Sequence, residues 1–99
     1  MTTTANMQFL LLDDDWRPIH RVDGNEDWRC IVQELLLRDS HWLTIEQQRP
    51  DQRSPYPCWS DIRLSRTVAR RFRPMEVKLA DHIIRGAANQ FSFRAAGLL

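Results

Sequence analysis

Residues Ile62–Pro74 read IRLSRTVARRFRP, and the way this stretch folds decides the architecture. It carries Arg63, Arg66, Arg70, Arg71 and Arg73 and no acid. Ile62, Leu64, Val68 and Phe72 interleave with the arginines. As a strand, the segment turns Arg66 and Arg70 inward beside Val68 and Phe72, which buries charge at high cost. As a helix capped by Ser65, it groups Val68, Ala69 and Phe72 on one face and leaves the arginines outside. Helical geometry also lines up Arg63, Arg66, Arg70 and Arg73, spaced three, four and three residues apart, as one stripe. The reading adopted is a strand over Cys58–Leu64 followed by a helical turn or two.

Upstream, the signals are more regular. Met1–Asn6 reads as a disordered leader without the basic start of a secretory signal. Met7–Leu12, MQFLLL, is a continuous apolar run that suits a strand buried on both faces. Asp13–Asp15 stops it. Trp16–Val22 is an edge strand or extended passage, because Pro18 cannot donate to a central ladder. Asp23-Gly24-Asn25 is turn chemistry. Glu26–Arg38 reads as a helix with Asn25 as N-cap, burying Trp28, Ile31, Val32, Leu35 and Leu36. Cys30 falls in its core. His41–Gln47 alternates as a strand with Leu43 and Ile45 inward. Gln48–Pro57 holds three of the five prolines and reads as an exposed loop.

Downstream, Pro74 is placed to open a last helix. Leu79, Ala80, Ile83, Ile84, Ala87 and Ala88 repeat at helical spacing, and Ser92 caps a short final helix. The expected fold is α+β: one small domain over 7–99, with three to four mostly antiparallel strands and two main helices.

Ninety-nine residues suffice for one modest core. The charge is uneven: −4 over residues 1–50 and +5 over 51–99. That asymmetry points to an anionic partner or to pairing between the halves. Thirteen of the fourteen basic residues are arginine, Lys78 being the exception, and arginine favours bidentate contacts with carboxylate and phosphate. Four tryptophans supply contact area for a core, a partner or a homodimer. Cys30 and Cys58 have no metal-ligand or disulfide-framework spacing, so reduced thiols and a cytoplasmic location are expected. No apolar run is long enough to span a membrane.

No catalytic residue, cofactor or metal site is assigned. Asp13–Asp15 reads as a solvated turn, since a Mg²⁺ site needs further oxygen ligands. His20, His41 and His82 lack metal-binding spacing, and there is no nucleophile elbow or glycine-rich phosphate loop. The arginines Arg63, Arg66, Arg70, Arg71 and Arg73 are the candidate contacts to nucleic acid or a nucleoprotein complex. Their rival partners are Asp13–Asp15, Asp23, Glu26 and Asp27 of the same chain. Trp16, Tyr56 and Trp59 are candidate contacts to a protein partner.

Phe9–Val22 (FLLLDDDWRPIHRV), Asp27–Ile45 (DWRCIVQELLLRDSHWLTI) and Ile62–Arg71 (IRLSRTVARR) resemble, in order, the segment that precedes the catalytic motif of many bacterial HNH endonucleases. The zinc-binding cysteine pair and the His-Asn-His arrangement are absent, so the resemblance implies an accessory part without the nuclease. Leu79–Leu99 (LADHIIRGAANQFSFRAAGLL) resembles the first helix and turn of a helix-turn-helix in small phage and bacterial regulators. Together they imply a prokaryotic or phage origin. The function expected is a non-catalytic module that binds nucleic acid or a nucleoprotein complex. The alternative is a phage-encoded inhibitor of a host or defence complex that acts by protein–protein contact. A nuclease using Asp13–Asp15 with metal is the third.

Overall fold

The run MQFLLL forms β1 (Met7–Leu12), and Phe9, Leu10, Leu11 and Leu12 are all buried. The computed structural model describes residues 7–50 and 55–99. The expected leader and the middle of the proline-rich loop lie outside the described residues. After β1, the Asp13 carboxylate accepts the Asp15 and Arg17 N–H groups, each at 2.9 Å, and reverses the chain. The return strand β2 (Pro18–Asp23) pairs antiparallel with β1 and lies at the sheet edge, where a proline costs no ladder bond. Asp23 then accepts the Asn25 N–H at 2.9 Å. Gly24 is required here, since a Cβ would lie 2.6 Å from the Met7 carbonyl oxygen.

Helix α1 (Trp28–Leu37) is capped by Asp27, which accepts the Cys30 N–H at 3.2 Å, rather than by Asn25. It ends with Asp39 in the left-handed region, φ 52°, and Ser40 N–H bonded back to Leu35 O. Ile31 and Leu35 are buried, but Leu36 is 69% exposed and Cys30 only half-buried. Those two side chains depart from the expected stripe. Strand β3 (Trp42–Gln48) follows, buried continuously from Leu43 to Glu46.

The second half departs further from the sequence reading. Cys58–Leu64 is not a strand. A single helix, α2 (Trp59–Phe72), runs through it and through the arginine stretch. It ends in a 3-10 turn (Arg73–Met75) that contains Pro74, with Glu76 at φ 59°. The residues expected as a last helix form β4 (Lys78–Arg85), and the short final helix is replaced by β5 (Gln90–Ser92) followed by turns.

The α+β class holds: two helices and a five-stranded sheet in the order β2-β1-β3-β4-β5. Only β3 and β4 pair in parallel. Leu43, Ile45, Phe9 and Leu11 on one sheet face meet Ile31 and Leu35 of α1 and Val68 and Phe72 of α2. Leu10, Leu12 and Ala80 form a smaller cluster with Trp42. Because β3 lies centrally and α2 covers the β4 side, the second helix shows its outer face to solvent next to the chain end.

Candidate functional site: the arginine face of the second helix

The stripe forms because α2 buries Asp61, Ser65, Val68 and Phe72 at spacings of three and four, which turns the intervening residues outward. Arg63, Arg66, Arg70 and Arg73 are exposed. Among the described residues none of them makes an ion pair. Of the acids proposed as rivals, four are engaged elsewhere and none of the six pairs with the stripe among the described residues. Asp13 and Asp23 accept backbone N–H groups in their own turns. Asp27 caps α1 and Glu26 accepts the Cys30 thiol. Glu46 lies between Arg21 and Arg85, at 3.2 and 3.1 Å. Arg71 departs from the stripe. Its guanidinium lies 4.6 Å from the Trp28 ring centroid and ties α2 to α1.

The three candidate aromatic contacts separate. Trp59 opens α2 and is 68% exposed, one turn before Arg63. Tyr56 is exposed and lies edge-on to Phe91, 5.6 Å between centroids. Trp16 is exposed, packs against Trp42 at 5.2 Å between ring centroids and has the Arg94 guanidinium 5.0 Å from its ring.

A polar cluster lies beneath the start of α2. Arg49 extends β3 through its N–H to Arg85 O and meets Asp61 through two guanidinium contacts, one at 2.8 Å. Asp61 also accepts the Cys58 N–H at 2.9 Å, the capping-box contact that starts the helix. Burial raises the Asp61 pKa, but Arg49 and the Cys58 donors outweigh it and hold the carboxyl at about 2. Both oxygens are thus occupied by a fixed cation and a cap, which leaves no edge for a metal. Beside it, His82 is fully buried, stacked 4.2 Å from Phe93, with Nε2 2.5 Å from Gln47 Oε1. Burial lowers its pKa to about 4, so the ring is neutral. Among the described residues no group of three His, Cys, Asp or Glu side chains can hold a metal ion.

Next to the stripe, α2 forms one wall of a groove of about 570 Å³. Arg66 and Arg73 face Lys78 and Arg94 across it, over an apolar floor. Ser65 Oγ lies in this wall, buried and without a hydrogen-bond partner. Ser65, Lys78 and Arg94 were not among the sequence-derived candidates, because strands and the chain end bring them together only in three dimensions. Arg49 and His82 carried no local signal either. Asp61 did carry one: it stands three residues after Cys58, just past Pro57, where an N-terminal capping acid belongs.

Residues 23–98 match the family model described as RadC-like JAB domain. No curated protein matches the chain. The family match overturns both resemblances drawn from sequence. Ile62–Arg71, which resembles part of the HNH-associated segment, lies wholly in α2, and Leu79–Leu99, which resembles the first helix and turn of a helix-turn-helix, contains β4 and β5. No helix among the described residues is long and apolar enough to cross a membrane.

Proposed function

Because the chain belongs to the RadC-like JAB domain family and carries on that fold an arginine face that its own acids leave uncovered, we propose that it is a non-catalytic module contacting nucleic acid or a nucleoprotein complex through α2. The observation that carries this reading is the alignment of Arg63, Arg66, Arg70 and Arg73 along one exposed helix face without an ion pair among the described residues. Guanidinium groups at that spacing suit successive phosphates. Exposed Trp59 at the head of the stripe adds a face on which an unpaired base stacks. Free Cys30 and Cys58 fit a reducing cytoplasm.

Fluorescence anisotropy with labelled single- and double-stranded oligonucleotides tests it. Four phosphate contacts give a salt slope of about −3, so raising salt from about 50 to about 200 mM weakens binding roughly 50-fold. Arg63→Ala with Arg70→Ala halves that slope. Absence of binding at low salt, or binding unchanged in the double variant, removes the proposal.

A second reading is a small phage-encoded inhibitor that blocks a host or defence complex by protein contact. Exposed Leu36, Leu37, Tyr56 and Trp59 supply apolar anchors for it. Recovery of a stoichiometric protein partner that is released by Trp59→Ala, with no oligonucleotide binding, favours this reading over the first.

A further inference from the structure

The groove beside the stripe has a chemistry of its own. Its lining holds Arg66 from α2, Arg73 from the 3-10 turn that follows it, and Lys78 and Arg94, and no acidic side chain. Arg94 and Lys78 are already engaged: Arg94 donates to the Ala80 and Leu79 carbonyls and lies 5.0 Å from the Trp16 ring centroid, and Lys78 Nζ lies 5.7 Å from that of Trp42. Arg66 and Arg73 make no ion pair among the described residues. The apolar lining is largely aliphatic and includes Ile62, Ala69 and Leu98. The one aromatic ring that lines it, Phe93, is 1% exposed and offers no face for stacking a base. The volume of about 570 Å³ falls within the range of ligand sites.

We infer that this groove is a docking site for an acidic peptide that carries a large apolar side chain. The apolar side chain seats on Ile62, Ala69 and Leu98. Flanking carboxylates pair with Arg66 and Arg73, the two rim cations that make no ion pair among the described residues. An apolar centre with a charged rim is the anatomy of a protein interface, whereas a phosphate backbone uses the rim and leaves the floor empty. The site goes beyond the nucleic-acid reading: Arg63 and Arg70, on the outer face of the same helix, do not line it.

The test uses a fluorescein-labelled peptide with a Leu-Phe centre flanked by glutamates. One control replaces Leu-Phe by Ser-Ser and another replaces the glutamates by glutamines. Each control is expected to bind about tenfold or more weakly than the parent peptide. Ala69→Trp fills the floor and abolishes peptide binding, while oligonucleotide affinity stays within about twofold. Arg66→Glu with Arg73→Glu, both at exposed positions, removes peptide binding without relying on a core change. Methyl NMR of the intact protein reports the site, with shifts expected at Ile62, Ala69 and Leu98. Equal binding of the Ser-Ser control overturns the proposal, as it reduces the contact to charge alone. Loss of oligonucleotide rather than peptide binding in Ala69→Trp also overturns it, as that places nucleic acid in the groove. Failure of the folded wild-type protein to bind the parent peptide overturns it too, and leaves the α2 phosphate reading standing.

Discussion

The arginines of the sheet and those of α2 are the same residue put to opposite uses. In the sheet, Arg21 and Arg85 converge on buried Glu46, and Arg49 meets Asp61, which is 3% exposed. Each of those acids is withdrawn from water and needs a cation beside it. On α2, Arg63, Arg66, Arg70 and Arg73 face solvent, where an internal ion pair is worth only about 0–1 kcal/mol. Asp13, Asp23 and Asp27 of the acidic first half serve local turns and a cap, and Glu46 serves the sheet arginines. What separates the two sets is whether the surroundings of the partner acid are dry, and only the α2 set remains available to a second molecule.

The largest expected effect breaks the sheet set. Arg49→Met leaves a buried carboxylate without its cation and lowers unfolding free energy by about 3–5 kcal/mol, read from the urea midpoint. Adding Asp61→Leu recovers much of that loss, since both charges are then gone, less about 1 kcal/mol for the missing helix cap. Next comes pH. His82 holds a folded pKa of about 4 against an ordinary value of 6.5, so below pH 6.5 the unfolded chain binds a proton that the fold refuses. Stability therefore falls as pH drops from 6.5 to about 4, by about 3 kcal/mol in total. Asp61, depressed from 3.8 to about 2, extends the loss below that range. Thermal melts across pH 7 to 4 check it. His82→Gln flattens the upper part of the profile.

The same contrast explains which parts of the fold are legible in the sequence. The first half is written in local terms: an apolar run stopped by aspartates, a proline at an edge, Asp-Gly in a turn, an amphipathic stripe ended at Asp39-Ser40. Each is decided within a few residues. The second half is decided by distant partners. Leu79, Ala80, Ile83 and Ile84 keep helical spacing, yet they lie in a strand. The pairing shifts between Leu43 and Thr44, so Ala80 is an extra residue and the alternation of buried positions breaks there. Beyond that bulge buried Ala80, His82 and Ile84 alternate with half-buried Asp81, Ile83 and Arg85, a period of two that apolar Ile83 and polar His82 blur in the sequence. The start of α2 is hard to read because cysteine is an unusual N-cap, and the cue in Asp61 depends on recognising it. The arginine stripe itself was legible as a helix face. Its neighbours in the groove were not, because Lys78 and Arg94 arrive from elements whose type the sequence hid.

Smaller effects sharpen the α2 side. Arg63→Ala with Arg70→Ala leaves the denaturant midpoint within about 0.5 kcal/mol of wild type, as surface changes without partners do. A larger loss would mean that those arginines serve the fold and would erase the contrast with the sheet.

Arg71 tests the boundary between the two sets, because it lies on α2 yet stacks on a ring of α1. Trp28 is itself packed against Phe9 and Phe72, so its face is held still for the guanidinium. A cation over a partly exposed indole contributes about 0.5–1 kcal/mol. Arg71→Ala is therefore expected to lower stability by that amount, while Arg70→Ala, one residue away, does not. In oligonucleotide binding the order reverses: Arg70→Ala reduces the salt slope by about one contact and Arg71→Ala changes it less. Equal behaviour of the two variants in both measurements would show that exposure alone, rather than partnership inside the fold, sorts the arginines of this helix.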